Sequence, residues 1–361
     1  MYKILVINPG STSTKIALYK NETQIFQENI NHNPKKIAKY KNIVDQLDMR
    51  KEEIQKVLTQ KNINMNEIDA VVGRGGMLPP VKSGAYLVNE EMINRLKNKP
   101  ISEHASNLGA IIAYEIAKQI NVSSYIYDSV AVDEMNVVAR LSGNKEINRK
   151  ALSHVLNSRA MAIKYAKSIS MKYEDLNLIV AHLGGGISLS IHEKGVMVDL
   201  VSDDEGPFAP ERSGRIPALS LIELCYSGKY DKSQMKKFIR GNGGIVSYLD
   251  TVDVREVEKM IKDGDEYAHL VYDAMVYQIA KGIGELATVT SGKIDAIILT
   301  GGVAYSDKIT EKIKKKVEFI APVCVLAGEN EMESLAFGIL RVLNGEEKAR
   351  EYVDMDLVRN S

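Results

Sequence analysis

Two stretches of this chain follow one plan, and that repetition constrains the fold more than any single motif. Ile4–Ile7 is an apolar run meeting Pro9-Gly10, Lys15–Tyr19 alternates with Ile16 and Leu18 on one face, and Thr23–Ile30 is again extended. Three strands in quick succession read as a meander. The plan returns about 175 residues later, far beyond the ~20 to 50 residues of a solenoid repeat. There Leu178–Ala181 meets His182-Leu183-Gly184-Gly185-Gly186, Ile187–Ile191 alternates, Glu193-Lys194-Gly195 turns and Val196–Leu200 extends. A related element, Ile294–Leu299 into Thr300-Gly301-Gly302, follows a long helical pattern over Glu266–Thr290. The expectation is two similar domains of alternating strand and helix, an α/β architecture.

The remaining segments fit that frame. Ile43–Leu58 carries apolar residues at helical spacing, and Ala70–Val72 is a short strand ending in Gly73-Arg74-Gly75-Gly76. Ser102, after Pro100, reads as the N-cap of a helix through Ala110, Ile111, Tyr114 and Ala117. Tyr125–Tyr127 is a strand that stops at Asp128, and Ile147–Ser168 reads as helical. A length of 361 residues suits two domains at ~150 residues each. With 45% apolar and 26% charged residues, wholesale disorder is excluded. The 47 basic and 47 acidic side chains balance, which argues against a polyanion binder. The basic run Lys314–Lys316 reads as a solvated helix face. No stretch reaches the ~18 to 20 apolar residues of a membrane span, and Met1–Ile7 is too short for a leader's apolar region. Cys225 and Cys324 lie far apart with no CxxC, so neither a disulfide framework nor a zinc site is expected. A cytoplasmic enzyme is the expectation.

A Gly-rich turn between strands has two explanations. One is a tight hairpin that needs positive φ. The other is a backbone that offers several N–H groups to a phosphate, with Ser and Thr hydroxyls adding donors. Two such turns in duplicated domains favour phosphate binding. The first carries Gly10, Ser11, Thr12, Ser13 and Lys15; the second carries His182, Gly184, Gly185, Gly186 and Ser188. Neither GxxxxGK[ST] nor a strand-to-helix GxGxxG is present, which sets aside the P-loop and dinucleotide folds.

Arg74 and Arg212 each sit beside glycine in a tight loop. A planar guanidinium there can grip a carboxylate or phosphate bidentately. Asp128 ends a buried strand, where an unpaired carboxylate is costly, so it reads as pointing into a cleft.

These residues resemble the acetate and sugar kinase/heat-shock/actin superfamily, and most closely its short-chain carboxylate kinases of the butyrate kinase family. The likeness covers essentially the whole chain, through Val6–Lys15, Gly73–Gly76, Tyr127–Ser129, His182–Gly186, Pro210–Gly214, Leu299–Gly302 and Gly328–Glu333. Two departures separate it from acetate kinases. Gly185 stands where those read Asn in His-Leu-Gly-Asn-Gly, and Arg149–His154 replaces Phe-His-Gly-Thr-Ser-His, losing the first His.

The resemblance implies two duplicated, ribonuclease H-like lobes with the nucleotide in the interlobe cleft. The first would be residues 1–128 plus 331–361, and the second residues 129–330. It implies ATP + butyrate ⇌ ADP + butyryl phosphate with Mg²⁺, hinge closure around a labile acyl phosphate, and a homodimer or larger assembly. In that reading Arg74 and Arg212 hold the carboxylate and the transferring phosphoryl, and His182 contacts the phosphate. Asp128 and Glu331 are metal-linked, with Glu333 a rival for the latter. Asn8, Gly10, Ser11, Ser13, Lys15 and Gly184–Gly186 surround the phosphates, while Asp253, Arg255, Gly301 and Gly302 flank the nucleoside. His154 stays open between a supporting and a surface role; His32, His104, His192 and His269 read as structural. Alternatives also stay open: an acetate or propionate kinase, a sugar kinase, or a nucleotide-driven switch or filament of the heat-shock/actin kind.

Overall fold

The computed structural model describes residues 1–354; residues 355–361, the end of the expected first lobe, lie outside the described residues. The chain divides into two compact units, one of Met1–Asp133 with the chain from Asn330 onward, the other of Glu134–Glu329.

The first unit is built on a mixed sheet. Its strands are β1 (Lys3–Pro9), β2 (Ser13–Lys20), β3 (Thr23–Asn31), β4 (Ala70–Arg74), β5 (Ala85–Leu87) and β6 (Ser123–Tyr127). A two-residue strand, Arg350–Glu351, closes the edge in the order Arg350–Glu351, β5, β6, β4, β1, β2, β3. β1 and β4 are apolar and buried on both faces, as parallel strands covered on each side must be. Register then fixes the site. Ile7 pairs with Gly73 and Arg74 pairs with Tyr127 in parallel ladders. Asn8, Arg74 and Asp128 therefore emerge at the carboxyl ends of three neighbouring strands, where open α/β sheets bind ligands.

The helix Asn107–Gln119 lies so close to β4 that a Cβ on Gly73 would sit 2.1 Å from the Gly109 carbonyl oxygen. Its N-cap position is Ser106 and not Ser102; Ser102 instead lends its carbonyl to the Asn107 side-chain amide. Ile43–Leu58 splits into a 3-10 turn, Ile43–Gln46, and the helix Leu47–Gln60.

The second unit repeats the topology. A hairpin, β7 (Leu141–Asn144) with β8 (Ile147–Asn148), precedes β9 (Asn177–Leu183), β10 (Ile187–Glu193), β11 (Val196–Val201), β12 (Ala296–Gly301) and β13 (Val323–Ala327). The sheet order β11, β10, β9, β12, β13 mirrors β3, β2, β1, β4, β6: an antiparallel meander, then two parallel strands. The helix Glu266–Ala287 buries Val271, Met275, Ile279, Ile283 and Leu286 against this sheet, and ends in a 3-10 turn, Thr288–Thr290.

Helix does not begin at Ile147. It runs only over Val155–Ser168. The preceding residues are drawn out by Arg149, which donates to Asp199 (3.0 Å), Glu205 (3.1 Å), the Ala139 carbonyl and the Leu200 carbonyl. A guanidinium satisfied at four points outside a helix outweighs local helical propensity.

Candidate active site

In the first unit the turn after β1 is closed by the Gly10 N–H, which donates to the Ser13 carbonyl (2.8 Å). The Thr12 carbonyl accepts from the His32 N–H. Beneath this turn lies a group the sequence reading passed over, Arg50, fully buried on the helix Leu47–Gln60. Its guanidinium donates to the carbonyls of Gly10 (2.9 Å), Ser11 (3.1 Å) and Ser13 (3.0 Å) and to Thr14 Oγ1. A signal was available: Ile43, Leu47, Arg50, Ile54 and Leu58 share one helical stripe, and a charge inside an apolar stripe asks for buried partners.

Asn8 donates from Nδ2 to Glu331 Oε2 (2.8 Å), and Glu331 Oε1 lies 3.5 Å from Arg74 Nη2. Lys15 is directly opposite Asn8 in the antiparallel ladder, hence on the same sheet face, and is exposed. Glu331 opens the helix Glu331–Leu343. Glu333 instead acts on Tyr19, whose hydroxyl is pushed up to about 12 by burial and then by that carboxylate. The structure thus brings Asn8, Arg74 and Glu331 together, while Glu333 acts through space on Tyr19. Arg74 Nη1 is buried without an acceptor among the described residues.

Asp128 is buried, with φ of 40°, a left-handed conformation that Asp tolerates better than most residues. Its Oδ1 accepts from the Gly84 N–H (2.7 Å). His104 lies near Arg74; burial first and that cation second lower its pKa, and its Nδ1 bonds Ser106.

In the second unit His182 is the penultimate residue of β9, paired in register with Thr300. Its Nδ1 is 2.9 Å from Asn157 Nδ2, and its Nε2 is 3.0 Å from Glu329 Oε1. Asn157 Nδ2 also donates to Thr300 Oγ1. His154 occupies the N-cap position of Val155–Ser168 and stacks on His182, ring centroids 3.9 Å apart and 11° from parallel. Its own Nδ1 meets Ser188 Oγ at 2.8 Å. His154, half-buried, thus lies flat against the His182 ring.

The following turn is held by the Gly184 N–H on the Gly186 carbonyl. A Cβ on Gly185 would sit 3.0 Å from Glu211 Oε1, and Glu211 pairs with Arg212 Nη1 (2.9 Å). Any side chain at 185 would press on that ion pair. Arg212 also donates from Nε to Asp203 Oδ2 (3.2 Å), whose Oδ1 takes Arg240 (2.6 Å).

Asp253 N-caps the helix Val254–Lys262 by accepting from the Arg255 N–H. The Arg255 side chain folds back on it (2.5 Å), and these bonds hold the carboxyl at about 2. Gly301, with φ of 91°, packs on the Leu183 backbone, whereas a Cβ on Gly302 would meet open space.

The donors available for a divalent cation are hard oxygens: Glu331, already turned toward Asn8 and Arg74, and Asp128 at a neighbouring strand end. No group of three or more His, Cys, Asp or Glu side chains suited to a metal occurs among the described residues. That set fits Mg²⁺, which takes one or two carboxylates and completes its shell with water and substrate phosphates. Among the described residues no helix is long and apolar enough to cross a membrane, and Cys225 and Cys324 are both free thiols.

Among solved structures, Porphyromonas gingivalis acetate kinase matches with a TM-score of 0.78 at 19% identity, over 95% of this chain and 100% of that one. A Francisella tularensis propionate kinase matches at 0.72 and 19%, over 94% and 99%. The fold is that of the acetate and sugar kinases. Butyrate kinase 1 of Clostridium acetobutylicum is 50% identical over 98% of this chain and all of its own length. Butyrate kinase 2 of the same organism is 51% identical over 97% of this chain and 99% of its own. With the profile of the Acetokinase family also matching residues 3–325, the chain belongs to that family.

Proposed function

We propose that this chain transfers the terminal phosphoryl group of ATP to butyrate, or to a similar short straight or branched carboxylate, reversibly giving the acyl phosphate and ADP. The observation that carries the reading is identity of 50% and 51%, nearly end to end, to two butyrate kinases.

The chemistry asks little covalent help of the protein. A short carboxylate is already ionised near neutral pH, so no general base is needed to expose its lone pair. A carboxylate oxygen attacks the γ-phosphorus in line, the bond to the β-phosphate oxygen breaks, and the electron pair leaves on ADP. Positioning and positive charge remain to be supplied. Arg74, with a buried Nη1 lacking an acceptor among the described residues, has a donor to offer a carboxylate or phosphoryl oxygen. Arg212 is aimed by Asp203 and Glu211, and His182 is aimed by Asn157, Glu329 and the His154 ring. Asn8, Gly10, Ser11, Ser13 and Lys15 in one unit, and Gly184, Gly185 and Gly186 in the other, serve the phosphates. Asp253, Arg255, Gly301 and Gly302 serve the nucleoside. Glu331 and Asp128 would hold Mg²⁺, which when bound neutralises charge on the phosphates. The cytoplasm is the compartment that fits such a reaction.

The same family reading includes self-association. The helix Ala218–Cys225 buries none of its residues, and Leu219, Ile222 and Tyr226 are 79%, 51% and 87% exposed. An apolar helix in water without a cover supports a homodimer or larger assembly.

The test is to incubate the protein with ATP, Mg²⁺ and hydroxylamine and a panel of two- to five-carbon acids. Hydroxamate formed best with butyrate or a branched four- or five-carbon acid supports the reading. Preference for acetate would overturn it, and so would ADP release independent of any acid.

A further inference from the structure

We propose that Arg50 is the positioning residue of the turn after β1: its buried guanidinium pulls the turn's carbonyls inward, so that the amides beyond them receive a phosphate group of the nucleotide. The inference rests on the kinase reading above, which makes this turn a phosphate site.

Every carbonyl from Gly10 to Ser13 is engaged on the inner side. Arg50 takes Gly10, Ser11 and Ser13, and the His32 N–H takes Thr12. The Ser11 and Thr12 amides, on exposed residues, meet no protein acceptor among the described residues. Peptide dipoles run from carbonyl to N–H, so carbonyls anchored within leave positive ends outward, the arrangement of an anion nest.

The charge adds to this. Arg50 is fully buried, and each acceptor it meets is neutral: three carbonyls, Thr14 Oγ1 and Gln46 Oε1. A buried cation whose hydrogen-bond acceptors are all neutral, with the Glu53 carboxylate acting on it only through space, is costly to keep unless its field is used. An anion arriving on the outer side of the turn uses it, through a low-dielectric interior that screens it weakly. The nearby Glu53 carboxylate is shared by His32 Nδ1 (2.5 Å) and Lys36 (3.2 Å). His32 Nε2 in turn meets Thr14 Oγ1 at 2.8 Å, fixing the hydroxyl that Arg50 donates to.

Binding of ATP and of adenosine to the full chain, measured by calorimetry, tests this in the wild type, Arg50→Gln and Arg50→Lys, with thermal melts recorded for each. The expected result is ATP affinity lower by about tenfold or more in Arg50→Gln, the weight of a lost charged donor. Adenosine affinity should be unchanged, and Arg50→Lys should fall between. In turnover, the KM for ATP should rise while the KM for the acid holds. Equal weakening of ATP and adenosine, or no weakening of either, would overturn the proposal. Should Arg50→Gln fail to fold, Arg50→Lys keeps the charge, cannot reach all the carbonyls, and carries the same two outcomes. A wild type that binds ATP yet forms no acyl hydroxamate would defeat the butyrate reading while leaving this comparison standing.

Discussion

Arg74 reaches Glu331 with one terminal nitrogen, at 3.5 Å, and holds the other buried with no acceptor among the described residues. A buried donor left unmade costs on the order of 1–3 kcal/mol, and a bound oxyanion is the partner that removes the cost. Arg74→Ala should lower kcat by ~10²-fold or more while ATP affinity holds, as expected for a donor to developing charge. Arg74→Lys should restore little, because an ammonium cannot satisfy Glu331 and a substrate oxygen in one plane. Near-normal turnover in either variant removes Arg74 from the reaction.

Arg212 invites a graded comparison. Its Nε is fixed by Asp203, and Asp203 is itself pinned by Arg240. Arg212→Ala should cost turnover ~10²-fold or more. Asp203→Asn leaves the guanidinium in place but loosens its aim, and a misplacement of about 1 Å can cost up to ~10²-fold. The checks are kcat at saturating ATP and acid for both variants. An Asp203→Asn enzyme as fast as wild type would mean that Arg212 needs no such guide.

Asp128 offers a substitution that separates charge from backbone. Asparagine also accepts positive φ, and its carbonyl oxygen can take the Gly84 N–H as Asp128 Oδ1 does. Asp128→Asn should therefore melt within about 1 kcal/mol of wild type yet lose ~10²-fold in turnover, and added Mg²⁺ should not restore it. Full activity across a Mg²⁺ titration would sink the metal-linked role.

How much of this was legible follows from what each feature depends on. The meanders read correctly because alternation and Gly-bounded turns are local, and β9–β11 follow β1–β3 in both pattern and topology. Ile147–Ser168 misled because Arg149 is held by Asp199 and Glu205, about fifty residues away, partners that no sequence window contains. Glu331 and Glu333 read only as rivals for the metal-linked acid; which carboxylate of the helix's first turn faces Asn8 and Arg74 is a matter of helix rotation that spacing does not give. The His154–His182 stack depends on the helix Val155–Ser168 starting beside β9. Arg50 left a trace in the apolar stripe, but its ligands are carbonyls, which a sequence does not advertise.

Stability of the second unit should carry a pH signature from His192. The ring is fully buried, with Nδ1 on the Tyr173 hydroxyl (2.6 Å) and Nε2 on Ser190 Oγ (2.9 Å). Burial first, and the Arg159 charge second, pull its pKa from 6.5 down to about 3. The folded state therefore resists protonation while the unfolded chain accepts a proton below pH 6.5. The contribution is complete above that value and is lost as pH falls from about 6.5 toward about 3. Between pH 7 and pH 5 this one group should remove about 2 kcal/mol, at 1.36 kcal/mol per pH unit below its unfolded pKa. Urea midpoints at the two pH values, in the wild type and in His192→Gln, measure it. The variant should be less stable at pH 7 but lose less on acidification; equal losses in both would show that His192 is not the group responsible.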